Sequence, residues 1–157
     1  MVWARRAIVI AAVAVLSVCA VGQGPAAVVS RGNLEAKVKE LRAKAQADGA
    51  ASVKLETYPN HYTMIAVRTK TGVAEVHARF ADFFYVLEGK ARLVTSGSLV
   101  NPAGTDSDEF RGTAVTGGTE QEVKPGDVVH IPAGVPHQLL IPDGTEFAYY
   151  VIKVQEK

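Results

Sequence analysis

This sequence has almost no cysteine and no large excess of charge of either sign. Of its 157 residues only one is a cysteine, Cys19, and it lies in an apolar N-terminal segment. If that segment is removed, the mature chain contains no thiol. Such a chain has no disulfide, no thiolate metal ligand and no cysteine nucleophile.

The charges are nearly balanced, with 17 basic and 16 acidic residues and a formal net charge of +1. Loss of residues 1–20 would remove Arg5 and Arg6 and no acid, which leaves 15 basic and 16 acidic residues and a charge of −1. Proteins that bind nucleic acid are typically basic over a large surface. We therefore expect no nucleic-acid partner.

The apolar run near the N-terminus is too short to span a membrane, which takes about 20 residues. Residues 7–18 are apolar except for Ser17, follow a basic stretch at 1–6 and precede small residues around Ala20. This order is typical of a secretory signal peptide, here residues 1–20. We expect an exported protein, periplasmic or extracellular, with no membrane attachment after cleavage. An uncleaved anchor helix is the alternative.

Residues 16–19, LSVC, resemble the lipobox of bacterial lipoproteins, in which a small residue precedes the cysteine. Val18 is not small, so cleavage after Ala20 fits better than lipid attachment at Cys19. Residues 21–50 are then a leader and an N-terminal helix. Residues 51–157 suffice for one domain with one core.

The segment after the leader predicts one amphipathic helix. Apolar residues recur at helical spacing from Leu34 to Ala45, which predicts a helix over residues 33–48. Asn33 is its expected N-cap and Gly49 its expected stop. We expect the helix to pack on the domain or on a partner subunit.

Short runs rich in β-branched and aromatic residues make up the rest of the sequence. The predicted strands are residues 53–58, 62–69, 73–79, 83–88, 91–95, 112–116, 119–123, 127–131, 138–141 and 146–154. Asp143-Gly144 predicts a tight hairpin between the last two strands. Residues 96–111 are expected to form a long loop, either a lid or binding element or a surface excursion. Many short strands without intervening helices predict an all-β, antiparallel sandwich or barrel.

A pattern of glycine, proline and histidine in the second half carries the strongest functional signal. Gly126, Pro132, Gly134 and His137 match the second motif of the cupin superfamily in residue type and in spacing. The asparagine that often closes that motif is replaced by Ile141.

The first cupin motif resembles the sequence VHARFADFFYVLEG at residues 76–89, which ends in the family's VL-x-G turn. Counted back from this turn, the family's acidic ligand position falls on Asp82. The second histidine of its His-x-His falls on His77, and the first on Glu75. The chain thus resembles a cupin over residues 58–154, with Glu-x-His in place of His-x-His and aspartate in place of glutamate.

The resemblance implies a single antiparallel jelly-roll β-barrel, often dimeric, with a divalent metal near the barrel axis and a small-molecule substrate. Cupins include dioxygenases, isomerases, epimerases, lyases, and sugar- or auxin-binding proteins. We therefore expect a homodimeric, metal-dependent enzyme of dioxygenase or isomerase/lyase type that acts on a small polar substrate. The alternative is a non-catalytic module that binds a sugar or carboxylate, or senses or stores metal.

The resemblance implies Glu75, His77 and His137 as metal ligands and Asp82 as a fourth. On a strand, Glu75 and His77 would point to the same face. Such a set suits Fe, Mn, Zn or Ni, and two histidines with one carboxylate form the facial triad of non-haem Fe(II) oxygenases. Because aspartate is one methylene shorter than glutamate, Asp82 alternatively orients a histidine without touching the metal. A metal-free pocket of hydrogen-bonded polar groups is the other interpretation.

Four more residues are candidates for substrate binding: Arg79, His130, Glu109 and Arg111. Arg79 shares the strand parity of His77, and it either clamps a substrate carboxylate or forms a salt bridge. His130 is either a general base in the pocket or a histidine packed in a sheet. Glu109 and Arg111 flank the end of the long loop, where they close over the mouth of the barrel or pair with each other.

Overall fold

The computed structural model describes residues 26–104 and 108–156. The predicted signal peptide, residues 1–20, and Cys19 lie outside this part of the chain. Within the described part, one α-helix precedes a series of short β-strands. None of the helical structure found in those residues is long and apolar enough to cross a membrane.

The helix and strands form an antiparallel jelly roll, as predicted. They are α1 (Arg31–Asp48), β1 (Ala50–Thr57), β2 (His61–Arg68), β3 (Ala74–His77), β4 (Phe80–Gly89), β5 (Ala91–Thr95), β6 (Ser98–Val100), β7 (Ala103–Gly104), β8 (Glu109–Gly112), β9 (Ala114–Thr116), β10 (Thr119–Val123), β11 (Val128–Ile131), β12 (His137–Leu140) and β13 (Phe147–Gln155). The first sheet has the order β1-β2-β13-β4-β11, and the second has the order β10-β5-β12-β3-β8-β7. Strands β6 and β9 form a small third sheet.

The main core lies between the two large sheets. It comprises Ala66, Phe84, Val86, Ala91, Leu93, Val123, Ile131, Leu139, Ile141, Phe147, Tyr149 and Val151. Because side chains alternate along a strand, Asp82 shares the inner face of β4 with Phe84 and Val86. His137 likewise shares the inner face of β12 with Leu139, and all five side chains are buried. The inner faces of β4 and β12 therefore carry these polar residues in line with the apolar residues of the core.

Helix α1 packs on the outer face of the first sheet and closes a second, smaller core. Val38 and Ala45 are fully buried there with Ile65 and Val67 of β2. The helix therefore lies against its own domain, which was one of the two predicted partners. Because β2 contributes alternate residues to the main core and to this one, both of its faces are largely apolar.

The predicted beginning of the helix is wrong, and its predicted end is confirmed. Ser30 is the N-cap, and its side chain accepts a hydrogen bond of 3.2 Å from the N–H of Asn33. A serine hydroxyl three residues ahead satisfies an otherwise unpaired N–H of the first turn, so the helix begins at Arg31. Gly49 ends it with a φ of 89°.

The predicted hairpin through Asp143-Gly144 is wrong. A turn is present, in which Thr145 N–H donates to Pro142 O at 3.1 Å. It connects the two large sheets, however, because β12 pairs with β3 and β5 whereas β13 pairs with β2 and β4. The described residues of the predicted loop at 96–111 contain β6, β7 and the start of β8.

The chain crosses between the sheets directly after His77, two residues before the predicted end of that strand. The N–H of Ala78 donates to Asp108 O at 2.7 Å, and Arg79 O accepts from Glu156 N–H at 2.8 Å. Strand β3 belongs to the second sheet and β4 to the first. His77 and Asp82 are therefore close in sequence but come from facing sheets.

The VL-x-G turn at the end of β4 requires its glycine. Gly89 has a φ of 75°, a conformation that residues with a side chain rarely adopt. A Cβ at this position would also overlap the carbonyl oxygen of Glu146. The motif thus marks a close approach of two backbone segments at the start of β13.

Candidate metal centre

The structure brings together three of the predicted ligands inside the barrel. Glu75 and His77 lie two residues apart on β3, and His137 begins β12 directly opposite Glu75 in the antiparallel ladder. One carboxylate oxygen and one nitrogen from each ring all lie within 4.8 Å of one another. His77 and His137 are 6% and 5% exposed, and their ring centroids are 5.1 Å apart.

Strand β8 places Glu109 and Arg111 beside these groups. In the β3–β8 ladder, Glu109 lies opposite His77 and Arg111 lies opposite Glu75. Both oxygens of Glu109 are 2.7 Å from Nδ1 of His77. Arg111 Nε lies 3.7 Å from Glu75 Oε1. Both residues line the cavity, and each contacts a predicted ligand, whereas a Glu109–Arg111 pair is not among the ion pairs of the described chain.

Hydrogen bonds at Nδ1 decide which nitrogen of each imidazole carries the proton. The carboxylate of Glu109 can only accept, so Nδ1 of His77 donates to it. Nδ1 of His137 donates to the carbonyl oxygen of Val135 at 3.0 Å. Burial, and after it the charge of Lys153, lowers the pKa of His77 to about 4. A neutral ring with its proton on Nδ1 has a lone pair on Nε2, which is the form that binds metal.

Nε2 of His77 is buried and, within residues 26–104 and 108–156, has no hydrogen-bond partner. Two carboxylate oxygens lie within 4.0 Å of it, Glu75 Oε2 at 3.9 Å and Asp82 Oδ2 at 3.5 Å. These oxygens are acceptors, as is the nitrogen itself. Lone pairs that face one another repel, and buried polar groups are normally paired. A cation between these atoms would satisfy all of them, so the residues present fit a divalent metal better than a closed hydrogen-bonded cluster.

Asp82 reaches the centre from the opposite sheet and has a partner of its own. Lys153, its neighbour on β13, places Nζ 2.7 Å from Asp82 Oδ1. The approach lies outside hydrogen-bonding angles, so the contact is that of an ion pair. Asp82 Oδ2 is 3.5 Å from Nε2 of His77 and 3.7 Å from Nε2 of His137. Asp82 is not in the group of atoms that lie within 4.8 Å of one another. Its Oδ2 nevertheless faces Nε2 of both rings, where neither ring has an N–H to donate, so it does not orient the rings by hydrogen bonding but lies beside the position of a shared cation.

Arg79 and His130 lie away from the cavity. Arg79 follows the end of β3, where strand parity no longer applies, and donates hydrogen bonds of 3.0 and 2.7 Å to Asp108 Oδ2. His130 is exposed on the outer face of β11, since its neighbour Ile131 is the buried one. Its ring stacks on Phe83 with centroids 4.3 Å apart. Neither side chain is placed to bind a molecule at this centre.

Lys153 and Arg68 line the cavity, and sequence reasoning missed both. The cavity has a volume of about 560 Å³ and is also lined by all four predicted ligands, Glu75, His77, His137 and Asp82. Lys153 follows a series of inward-facing apolar positions on β13, and Arg68 does the same on β2. A basic residue that continues an inward apolar alternation is the signal that could have found them.

A family model described as Cupin matches residues 33–157. The chain belongs to the cupin family. No curated protein matches its sequence.

Several solved structures share the fold of this cupin. The polyketide cyclase RemF from Streptomyces resistomycificus superposes with a TM-score of 0.51 at 19% identity, over 68% of this chain and 66% of that one. KdgF from Halomonas sp. superposes with a TM-score of 0.51 at 12% identity, over 70% of this chain and 83% of that one. The DMSP lyase DddQ from Ruegeria pomeroyi DSS-3 has a TM-score of 0.51 at 17% identity, over 74% of this chain and 53% of that one.

The matched region spans just under two thirds of RemF and about half of DddQ. At these levels of identity the similarity shows a common fold and no more. Two of this chain's departures from the cupin motifs lie at the centre. Glu75 stands at a histidine position of the motif, and Asp82, at its acidic position, is paired with Lys153.

Proposed function

We propose that this cupin binds a divalent metal through Glu75, His77 and His137 and acts on a small polar molecule in the same cavity. The observation that carries the proposal is the buried Nε2 of His77, which has no hydrogen-bond partner among the described residues, on a ring that has a nitrogen within 4.8 Å of donor atoms from the other two residues. Two imidazoles and one carboxylate suit Fe(II), Mn(II), Zn(II) or Ni(II).

The surrounding residues support this ligand set. Histidines that bind metal usually donate their second ring N–H to a carboxylate or a backbone carbonyl, as His77 does to Glu109 and His137 to Val135. Three protein ligands leave coordination positions open for a substrate. A metal bound there would supply Lewis acidity or, as Fe(II), a site for O₂.

We propose an enzyme of dioxygenase or isomerase/lyase type, and two observations support the two branches. A set of two histidines and one carboxylate is the ligand type of non-haem Fe(II) oxygenases. The Asp82–Lys153 pair in the cavity wall could exchange a proton with a substrate, as isomerases and lyases require. The names of RemF as a cyclase and DddQ as a lyase add an analogy at the level of the fold.

Metal analysis tests the ligand set. After purification without chelator, the wild-type protein should contain about one divalent metal per chain, and His137→Ala should contain none while keeping its β-sheet circular dichroism. His130→Ala is the matched control, because that ring stacks on Phe83 outside the cavity, and it should retain the metal. Metal retained by His137→Ala would refute the ligand set.

Oxygen uptake separates the branches. The metal-loaded protein should consume O₂ with members of a panel of catechols, thiols and diketones if it is a dioxygenase. Absence of O₂ consumption with every compound of the panel would favour isomerase/lyase chemistry. A wild-type protein that takes up no metal but binds sugars or carboxylates would instead be the non-catalytic module.

Export through a signal peptide at residues 1–20 and assembly as a homodimer complete the proposal, and both rest on the sequence. Mass spectrometry of protein recovered outside the cytoplasm should find a mature N-terminus directly after Ala20. An intact N-terminus, or a lipid on Cys19, would contradict this part of the proposal.

A further inference from the structure

Arg68 is a half-buried arginine in the wall of the cavity that contains the three proposed ligands. It ends β2 at a position opposite Phe147 of β13. Its Nε donates a hydrogen bond of 3.0 Å to the hydroxyl of Tyr149, a residue that is 4% exposed between the sheets. Because Tyr149 holds one edge of the planar guanidinium, the orientation of the whole group is restricted.

The guanidinium of Arg68 differs from every other described arginine in its lack of a carboxylate partner. Within residues 26–104 and 108–156, the other five arginines each lie within 4.0 Å of an acid: Arg31 of Glu35, Arg42 of Glu88 and Glu146, Arg79 of Asp108, Arg92 of Glu120, and Arg111 of Glu75. For Arg68 the described residues supply the Tyr149 hydroxyl as a hydrogen-bond partner and no acid within 4.0 Å, and the carboxylate of Glu75 acts on it only from a greater distance. Partial removal of a cation from water is costly when no anion lies beside it. An anionic ligand next to the two terminal nitrogens of Arg68 would offset this cost.

The charge of the cavity favours an anionic partner. Apart from the Lys44–Asp48 pair, the charged residues that line it are Glu75, Asp82 and Glu109 against Arg68, Arg111 and Lys153. Apart from the two imidazoles, these three acids and three bases cancel, and a divalent metal would bring the sum to +2. A concave site of positive potential attracts anions. Lys153 and Arg111 already lie beside Asp82 and Glu75, which leaves Arg68 to meet an incoming anion.

We infer that Arg68 binds a carboxylate of the molecule that this cavity takes up, so that the substrate is a small organic acid. Guanidinium groups bind carboxylates through two parallel N–H···O hydrogen bonds. The remainder of the molecule would extend toward Glu75, His77 and His137. A cavity of about 560 Å³ is of the size that accepts small molecules. The part of the inference that places the molecule at the metal rests on the proposed function. The part that places its carboxylate at Arg68 does not.

Gly72 offers a way to move this guanidinium without removing its charge. A Cβ at position 72 would overlap Nη1 of Arg68. The guanidinium can therefore take its present position only because residue 72 is a glycine. The backbone of Gly72 is outside the left-handed region, so alanine is compatible with it. Gly72→Ala should therefore displace the end of the flexible arginine and leave the backbone in place.

Calorimetric titration with acetate, malonate and glutarate, each beside its uncharged amide, tests the inference with the metal-loaded and the metal-free protein. At least one of the acids should bind the wild-type protein, and its amide should not. Arg68→Gln should weaken that binding about 10- to 100-fold, the range expected for hydrogen bonds between charged groups. Arg68→Lys, which keeps the charge and loses the fork, and Gly72→Ala should each give a smaller loss. Arg92→Gln, which removes an exposed arginine, should change nothing.

Metal content and thermal unfolding of each variant keep this result separate from the proposed function. Loss of acid binding by Arg68→Gln, with the metal retained, supports the inference. If Arg68→Gln fails to fold, the comparison of Gly72→Ala with Arg92→Gln replaces it. Equal binding by wild type and variant, equal binding of acids and amides, or no binding of any acid to the metal-loaded protein overturns it. A wild type without metal that still binds acids through Arg68 would contradict the metal proposal alone.

Discussion

The inner and outer faces of the barrel hold the same residue types in different environments. His77 and His137 face inward, and an acceptor fixes Nδ1 of each ring. His61 and His130 lie outside, stacked almost flat on neighbouring aromatic rings with centroids 4.4 and 4.3 Å apart. Residue type alone therefore does not make a metal ligand. Burial, and an acceptor that directs Nε2 into a cavity, distinguish the inner pair.

The ion pairs also differ between the inside and the outside of the barrel. The side chains of Asp82 and Lys153 are 3% and 11% exposed, whereas those of Lys90 and Glu122, an outer pair, are 63% and 58% exposed. A buried charge depends on its partner, because no water replaces that partner when it is lost. An exposed charge is hydrated with or without one. The four predictions below use this contrast, in order of decreasing effect.

The largest effect is expected from Lys153→Met. Removal of the ammonium leaves the Asp82 carboxylate buried without its partner, which should lower the free energy of unfolding by about 3–5 kcal/mol. The matched outer change, Lys90→Met, should cost about 1 kcal/mol or less. Urea unfolding of the metal-free proteins measures both. Addition of Asp82→Asn to Lys153→Met should recover most of the loss, and similar values for the inner and outer variants would show that water reaches the inner pair.

The second prediction concerns metal and stability. At a metal concentration 1,000 times the Kd, the folded wild-type protein should gain about 4 kcal/mol of stability, because the unfolded chain has no assembled site. His77→Ala should lose this gain, and His61→Ala should keep it. Thermal unfolding with and without metal is the measurement. A full gain in His77→Ala would place the metal outside the inner pair.

The third prediction concerns the acceptor that fixes His77. Glu109→Gln keeps the size of the side chain but loses the carboxylate charge, so the ring is oriented and polarised less strongly. Metal affinity should fall about 10- to 100-fold, as for other partners of metal-bound histidines. Glu120→Gln, at an exposed acid paired with Arg92, should leave the affinity unchanged. Competition with a metal-sensitive dye measures both, and an unchanged affinity in Glu109→Gln would mean that the acceptor plays no part.

The smallest effect is expected at the outer histidines. His130→Ala removes a ring that stacks on Phe83 at the surface, which should cost about 1 kcal/mol or less. Metal affinity should equal that of the wild type. Chemical unfolding and metal titration of the same preparation test both parts, and a weaker metal site in this variant would erase the contrast between inner and outer histidines.

The local parts of the candidate site could be predicted from the sequence. Glu75 and His77 share a face because they are two apart on a strand, and the Pro132-to-His137 segment delivers the second imidazole at the start of β12. Arg79 was misplaced by the same rule, because the strand ends at His77 and parity stops where the strand stops. The predicted hairpin at Asp143-Gly144 failed for a related reason, since a turn sequence does not state which strands it joins.

Strand periodicity and turn residues predicted the helix and an antiparallel sandwich or barrel, and the resemblance to the cupin motifs implied the jelly roll and the positions of the three proposed ligands, because all of these are local properties of the sequence. Only the tertiary structure decided the partners of the polar groups. Glu109 meets His77 and Lys153 meets Asp82 because of pairing register between strands far apart in the chain. The same packing places no acid of the described residues within 4.0 Å of Arg68, since charge compensation depends on which side chains the folded sheets bring within a few ångströms of each other.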